Sequence, residues 1–506
     1  MKSKGGFAAL TSILVVAAVA VAVFGPWSRS PRQAMQAVLP SAQALEPASG
    51  GSVRSFDLTA APATLELRPG LQVPVWAYNG TVPGPELRVT TEDLVQVSFR
   101  NELPDSTTIH WHGVSLPNGE DGVAGVTQDP VAPGHKVTYA FVAPQPGTYW
   151  YHPHQNPAEQ LDRGLYGALV VEAKGATKAG LDQVLVYDEW PMGAGQATPP
   201  PGDDATMMRY GVYSVNGKSG NGIGPIRFTP GQTIRLRLVN AGYLTHYLHI
   251  HGAPFVITGF DGSEVSGGPP TDHALPLAAG ERLEVEFVAP AGPMVIRAHD
   301  PSAPAAQMRV PLVPVGQPVP AEVPGEQDSI SGEVLDLYNY AAKVADPIWP
   351  SGTAPTKSFT LKLSELMGHA RSDTAGMTGM SGNQSSFGIN GKSFPDTANL
   401  EVSQGDWVQI TFANEGRLEH PMHLHGHDFQ LLSINGKPTA GVLIKDTVDV
   451  LPGSAITVGF VADNPGWWML HCHELHHAGG GMDTLVRYKD APRLAGLGGP
   501  FEGSPG

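Results

Sequence analysis

Cysteine is the scarcest residue of this chain: one, Cys472, in 506 residues. A lone thiol can close no intramolecular disulfide, so Cys472 stays free to act as a thiolate ligand. Charge is scarce as well, at 15% of residues, and basic charge scarcest, with 31 Lys and Arg against 47 Asp and Glu and a net charge of -16. That balance argues against a nucleic-acid partner. Glycine and proline are plentiful, at 61 and 47. Many turns and short strands suit this composition, which indicates an all-β chain, and the length allows about three domains, each with its own core.

The N-terminus differs in kind. Lys2 and Lys4 precede an apolar run from Phe7 to Phe24, the pattern of an export signal or an uncleaved membrane anchor, with residues 1–44 as that segment plus a linker. Ala42-Gln43-Ala44 would suit a signal peptidase, although it lies far from the run, and Arg29 and Arg32 are separated, so there is no twin arginine. The expectation is an exported body: periplasmic, extracellular, or anchored on the outer side of the cytoplasmic membrane.

Beyond this point the chain repeats itself three times. Asn79-Gly80, Asn216-Gly217 and Asn390-Gly391 each open a similar segment. An alternating strand follows each: Val95, Val97 and Phe99; Ile234, Leu236 and Leu238; Val408, Ile410 and Phe412. Polar residues lie between them (Gln96 and Ser98, Arg235 and Arg237, Gln409 and Thr411), the pattern of strands with one buried face. A histidine segment comes next, His110-Trp111-His112-Gly113, His249-Ile250-His251-Gly252 and His423-Leu424-His425-Gly426. Each unit closes on a glycine-led strand, over 147–154, 292–299 and 466–473. Three homologous β-sandwich domains account for the pattern, over 53–173, 181–315 and 331–488, with 314–327 as a linker and a loose tail after Tyr488.

The copies differ where chemistry would sit. The third ends on His471-Cys472-His473, the first on His152-Pro153-His154 and the second on Arg297-Ala298-His299. Alternate side chains of a strand leave opposite faces, so His471 and His473 point one way and Cys472 the other, and one strand could serve two metal sites. His477 and Met482 follow Cys472 closely enough for the chain to fold back to it. Cys, His and a weak axial Met, with one more His, make a blue-copper electron-transfer site, and His420 is left as that second imidazole. Four His-x-His pairs stand out: His110 and His112, His152 and His154, His423 and His425, His471 and His473. Eight imidazoles can hold three copper ions. In the second copy His246, His249 and His251 repeat the spacing of His420, His423 and His425 without most of the partners. Inherited packing or a surface cluster is the preferred reading there, and the second domain is read as a spacer with no complete copper site.

The segments around His110, His152, His420 and His471 resemble the four copper-binding signatures of the multicopper oxidases, the laccase-like enzymes, and the resemblance runs from about Val53 to Tyr488. It implies three cupredoxin (Greek-key) β-sandwich domains and four copper ions per chain. It also implies a type 1 copper at His420, Cys472, His477 and Met482, a type 2 copper at His110 and His423, and a type 3 pair at His112, His152, His154, His425, His471 and His473. A reducing substrate would deliver single electrons to the type 1 copper, the chain from Cys472 to His471 and His473 would carry them onward, and dioxygen would leave as two waters. Asp121 matches a carboxylate that the family uses near the type 2 copper, and it also forms an Asp-Gly turn with Gly122. Many bacterial members have a glutamate directly after the histidine equivalent to His477. Ala478 stands there in this chain, with Glu474 as the candidate replacement in proton supply.

A methionine at the axial position implies a modest potential, hence easily oxidised phenols, aromatic amines or low-valent metal ions as donors. Met367, Met377 and Met380, within 367–382, could hold Cu(I) or belong to a plain surface loop. Cuprous oxidases of the family place an Asp and a Met where this chain has Gly416 and Leu418. The alternative to a general oxidase is a periplasmic copper-resistance protein, either a cuprous oxidase or a copper-sequestering protein.

Overall fold

Each Asn-Gly pair reverses the chain. In a computed structural model, which describes residues 47–48, 50–176, 179–191, 210–299, 307–324, 326, 334–344, 346–366, 386–492 and 494, Asn79, Asn216 and Asn390 have φ of 53°, 49° and 54°, and the glycines after them 76°, 67° and 75°. Two successive positive φ values make the hairpin turn that matches the twist of the flanking strands, and Asn-Gly adopts it with least strain. The asparagine side chains then grip the preceding strand in the same way each time. Asn79 accepts from Thr59 N at 2.7 Å and donates to Asp57 O at 2.8 Å, Asn216 does so with Val186 and Val184, and Asn390 with Lys362 and Thr360. The N-terminal segment and the methionine segment 367–382 lie outside the described residues.

Three β-sandwiches follow from these turns, each made of two sheets. In every repeat the first long strand pairs in parallel with the alternating strand: Val53–Arg68 with Leu94–Asn101, Leu181–Pro191 with Thr233–Asn240, and Lys357–Leu366 with Trp407–Asn414. The opposite sheet holds the histidine strand beside the glycine-led one, with His110 opposite His152, His249 opposite Arg297, and His423 opposite His471. Among the described residues no helix is long and apolar enough to cross a membrane. The two α-helices among the described residues are short, Pro157–Asp162 and Leu475–Gly479.

Val95, Val97, Phe99, Ile234, Leu236, Leu238, Val408, Ile410 and Phe412 are all buried in the sandwich cores. Arg237 departs from the expected alternation, since it too is buried, at 2% exposed. Its outward face is covered by the first sandwich: the guanidinium donates to Thr148 Oγ1 at 3.0 Å and pairs with Glu284 at 2.8 Å and Asp182 at 2.7 Å. One apolar cluster runs through both the first and the third sandwich, whereas the second has its own, which also takes in Tyr340 and Ala342. Burial therefore joins the two terminal repeats, and their histidine strands face each other across that junction.

Candidate metal centres

The eight paired histidines meet between the first and third sandwiches, each at most 1% exposed. Rings from the two repeats stack in pairs, His110 on His425 with centres 3.9 Å apart and His112 on His423 at 3.8 Å. Their ring nitrogens form three groups, each spanning no more than 4.8 Å: His110, His112 and His423; His112, His152 and His473; His154, His425 and His471. In the last group His471 Nε2 lies 3.0 Å from His425 Nε2 and 3.4 Å from His154 Nε2. Two nitrogens bound to one tetrahedral ion through bonds of ~2.0 Å stand ~3.3 Å apart.

Backbone carbonyls decide which nitrogen faces inward. Nδ1 of His110, His152, His423 and His471 donates to the carbonyls of Asp121, Pro153, Asp446 and Cys472 at 2.9, 3.0, 3.0 and 2.9 Å. Each ring is thereby fixed with its Nε2 lone pair turned to the centre. Nε2 of His110, His152 and His423 is buried without a hydrogen-bond partner. His112 is reversed, with Nε2 lying 3.3 Å from Asp446 Oδ1 and Nδ1 left unpartnered. Burial and neighbouring imidazoles hold His112, His152, His425 and His473 well below the usual histidine range and bring His471 down to about 3. Neutral, convergent lone pairs with no donor to meet them are costly unless a cation takes them up, so this set fits an imidazole-binding ion such as copper.

Two carboxylates brace the cluster from opposite sides. Asp121, in the first sandwich, lies 3.2 Å from His110 Nδ1 through Oδ1 and accepts from His425 Nδ1 at 3.0 Å through Oδ2. Asp446, in the third, stands 3.3 Å from His112 Nε2 and 3.4 Å from His423 Nδ1. Each thus reaches one histidine from each repeat. The sequence reading missed Asp446, which is wholly buried against Arg282 of the second sandwich through two contacts of 2.8 and 2.5 Å. A signal did exist: Asp446 follows His423 by 23 residues, the separation between Asp272 and His249 in the second repeat, and both aspartates offer a carbonyl to that histidine.

Cys472 leaves the other face of its strand. Its Sγ lies 3.7 Å from Nδ1 of both His420 and His477, and those two nitrogens are 3.2 Å apart. The helix Leu475–Gly479 returns the chain to this point, where Met482 N donates to His477 O at 3.0 Å and Met482 O accepts from Cys472 N at 3.1 Å. Met482 is buried in the same core cluster as Cys472. Glu474 caps that helix, accepting from His477 N at 2.7 Å and facing His476 Nδ1 at 2.7 Å. Burial alone would raise its pKa, but His477 and His476 outweigh it and hold Glu474 at about 2. The ring of His476 therefore belongs to Glu474, and His477 is the one that faces the thiol. A pocket of about 270 Å³ opens beside His477 and Glu474, with Tyr243, Arg417, Glu419 and Pro452 in its wall.

The sequence matches the multicopper oxidase family over residues 59–176, 182–307 and 367–492. It is 32% identical to multicopper oxidase MmcO of Mycobacterium tuberculosis, over 90% of each chain. Among solved structures it resembles a multi-copper oxidase from Pseudomonas thermotolerans, with TM-score 0.68, 27% identity, and coverage of 87% of this chain and all (100%) of that one. It also resembles a multicopper oxidase of Campylobacter jejuni described as a metallo-oxidase, with TM-score 0.66, 25% identity, and coverage of 86% and 91%.

Proposed function

Because this chain belongs to the multicopper oxidase family, we propose that it couples one-electron oxidation of a phenol, an aromatic amine or a low-valent metal ion to four-electron reduction of dioxygen to water. The chain is a copper oxidoreductase, and enzymes of this kind use dioxygen and a reducing substrate. In our reading it holds four copper ions. His420, Cys472, His477 and Met482 hold one, His110 and His423 a second, and His112, His152, His154, His425, His471 and His473 a pair. When bound, copper supplies one-electron redox chemistry at the cysteine site and, at the histidine cluster, the means to deliver several electrons to dioxygen.

The observation that carries this reading is the position of Cys472. Its Sγ faces His420 and His477, while its two chain neighbours both point into the eight-imidazole cluster. A single stretch of backbone therefore joins the donor side to the oxygen side. The pocket beside His477 is the entry for the donor, with Glu419 and Glu474 in its wall; both are placed to orient a phenol O–H or a metal cation, and Glu419, whose pKa burial raises, receives the proton that a phenol releases. Asp121, held against His110 and His425, is the group that passes protons to the cluster. Residues 1–44 carry the enzyme out of the cytoplasm, as a cleaved signal or as an anchor.

An oxygen electrode tests this directly. Copper-loaded protein should consume dioxygen with a phenol, Cu(I), Fe(II) or Mn(II), and Cys472→Ser should abolish both that uptake and the intense absorption near ~600 nm of a thiolate-bound copper. Oxygen uptake that survives in the serine variant would overturn the wiring. A loaded protein with no uptake for any donor would point to copper sequestration.

A further inference from the structure

The second sandwich carries a histidine cluster of its own. Its strand His246–His251 pairs with Met294–Ala298 in the register of the other two repeats, so that His249 lies opposite Arg297 just as His110 lies opposite His152. Leu248 and Ile250 enter the core, which sends His249 and His251 to the other face. His299, anchored through its N–H on Tyr247 O at 2.9 Å, joins them there. Of the four imidazole positions filled in the terminal repeats, the second keeps three and gives the fourth to Arg297, whose guanidinium donates to Glu326 O at 2.9 Å.

The geometry is that of a ligand set. One ring nitrogen from each of the three lies within 4.8 Å of the other two. Nε2 of His251 and Nε2 of His299 are 3.2 Å apart, close to the ~3.3 Å between two nitrogens on one tetrahedral ion. His249 Nε2 donates to Asp272 O at 2.7 Å, and its Nδ1 is buried without a hydrogen-bond partner. Locking one ring nitrogen on a carbonyl while the other looks inward is how metal-bound histidines are oriented. In the third sandwich His423 is likewise held on the carbonyl of an aspartate 23 residues on, Asp446, but through Nδ1, so the ring of His249 is turned the other way round. His249 and His299 are only half-buried, which opens the cluster to solvent and leaves room for a water as a further ligand.

We propose that His249, His251 and His299 form a solvent-reachable three-imidazole site on the second sandwich that binds one late first-row ion, zinc(II) or copper(II), apart from the eight-histidine centre. With three imidazoles and no carboxylate among the ligands, hard cations such as magnesium and calcium are disfavoured. An ion here would tie the histidine strand to the end of its neighbour, so binding should also raise the thermal midpoint.

Copper-loaded protein, its other sites filled, is titrated with zinc(II) against a chromophoric chelator, and a parallel sample with copper(II) is read by electron paramagnetic resonance. Wild type should take up about one further ion per chain, with nitrogen hyperfine structure for copper(II) and a shell of three imidazoles at the zinc absorption edge. His249→Ala and His299→Ala should each abolish this uptake and leave the ~600 nm band unchanged. Absence of saturable uptake of either ion by wild type would overturn the proposal, as would uptake undiminished in the variants. Should one variant fail to keep the band, the other variant and the zinc-edge spectrum decide.

Discussion

Arg282→Met is the sharpest test of how the second sandwich supports the centre. Arg282 is fully buried, with both terminal nitrogens on Asp446 at 2.8 and 2.5 Å, and it also donates to Thr148 O and Gly280 O at 3.2 Å each. Methionine fills much of the same volume but leaves the Asp446 carboxylate buried without its cation. Breaking a buried pair from one side costs about 3–5 kcal/mol, and each buried acceptor left unmet adds about 1 kcal/mol, so the loss should reach about 5 kcal/mol. Denaturant midpoints at fixed copper content would measure it. Asp446 also stands 3.3 Å from His112 and 3.4 Å from His423, so the same variant should retain less copper at the histidine cluster while keeping the thiolate band. The double variant Arg282→Met/Asp446→Asn removes the stranded charge and should recover about 2 kcal/mol of that loss. A single variant within about 1 kcal/mol of wild type, or strict additivity in the cycle, would refute the assignment of Arg282 as the neutralising partner of Asp446.

Asp121→Asn keeps the fold of the turn but removes the charge shared by His110 and His425. Oxygen reduction should slow on the order of tenfold to hundredfold with the thiolate band intact, and unchanged turnover would remove Asp121 from the proton path. Glu120 gives a pH signature. Burial raises its pKa from 4.5 to about 7 against the lowering pull of the Ala140 N–H. The folded state therefore binds more protons than the unfolded one between those values, and stability should fall as pH rises through that window. Glu120→Gln should flatten the slope and be more stable than wild type at pH 8, by up to about 3 kcal/mol; a slope that persists in the variant would locate it elsewhere.

Local pattern made much of the fold legible. Asn-Gly turns, two-residue alternation and His-x-His pairs are all properties of neighbours in sequence, and a strand converts them directly into faces. The four His-x-His pairs of the terminal repeats come together in groups between the sheets, whereas His246, also singled out by spacing, faces Glu189 at 3.2 Å. What the sequence reading missed depends on partners from another repeat. Arg237 sits at a polar position of its strand, yet the first sandwich covers it, through Thr148. Asp446 has no histidine beside it in the chain and acquires its place only because Arg282 and the two facing strands meet there. His299 stood in the sequence at the place of His154 and His473 but was not counted with His249 and His251, which reach it from a strand nearly fifty residues earlier, with a separation of 48 from His251.

The crossed reach of Asp121 and Asp446, each to one imidazole from either end of the chain, has a consequence for biogenesis. During synthesis the N-terminal half of the cluster exists as an unfinished surface until residue 473 has emerged and the last sandwich has docked. Neither half offers a complete coordination shell beforehand, so cluster metallation should be a late event that reports on completed chains, and fragments ending before the third sandwich should not compete for copper at that centre.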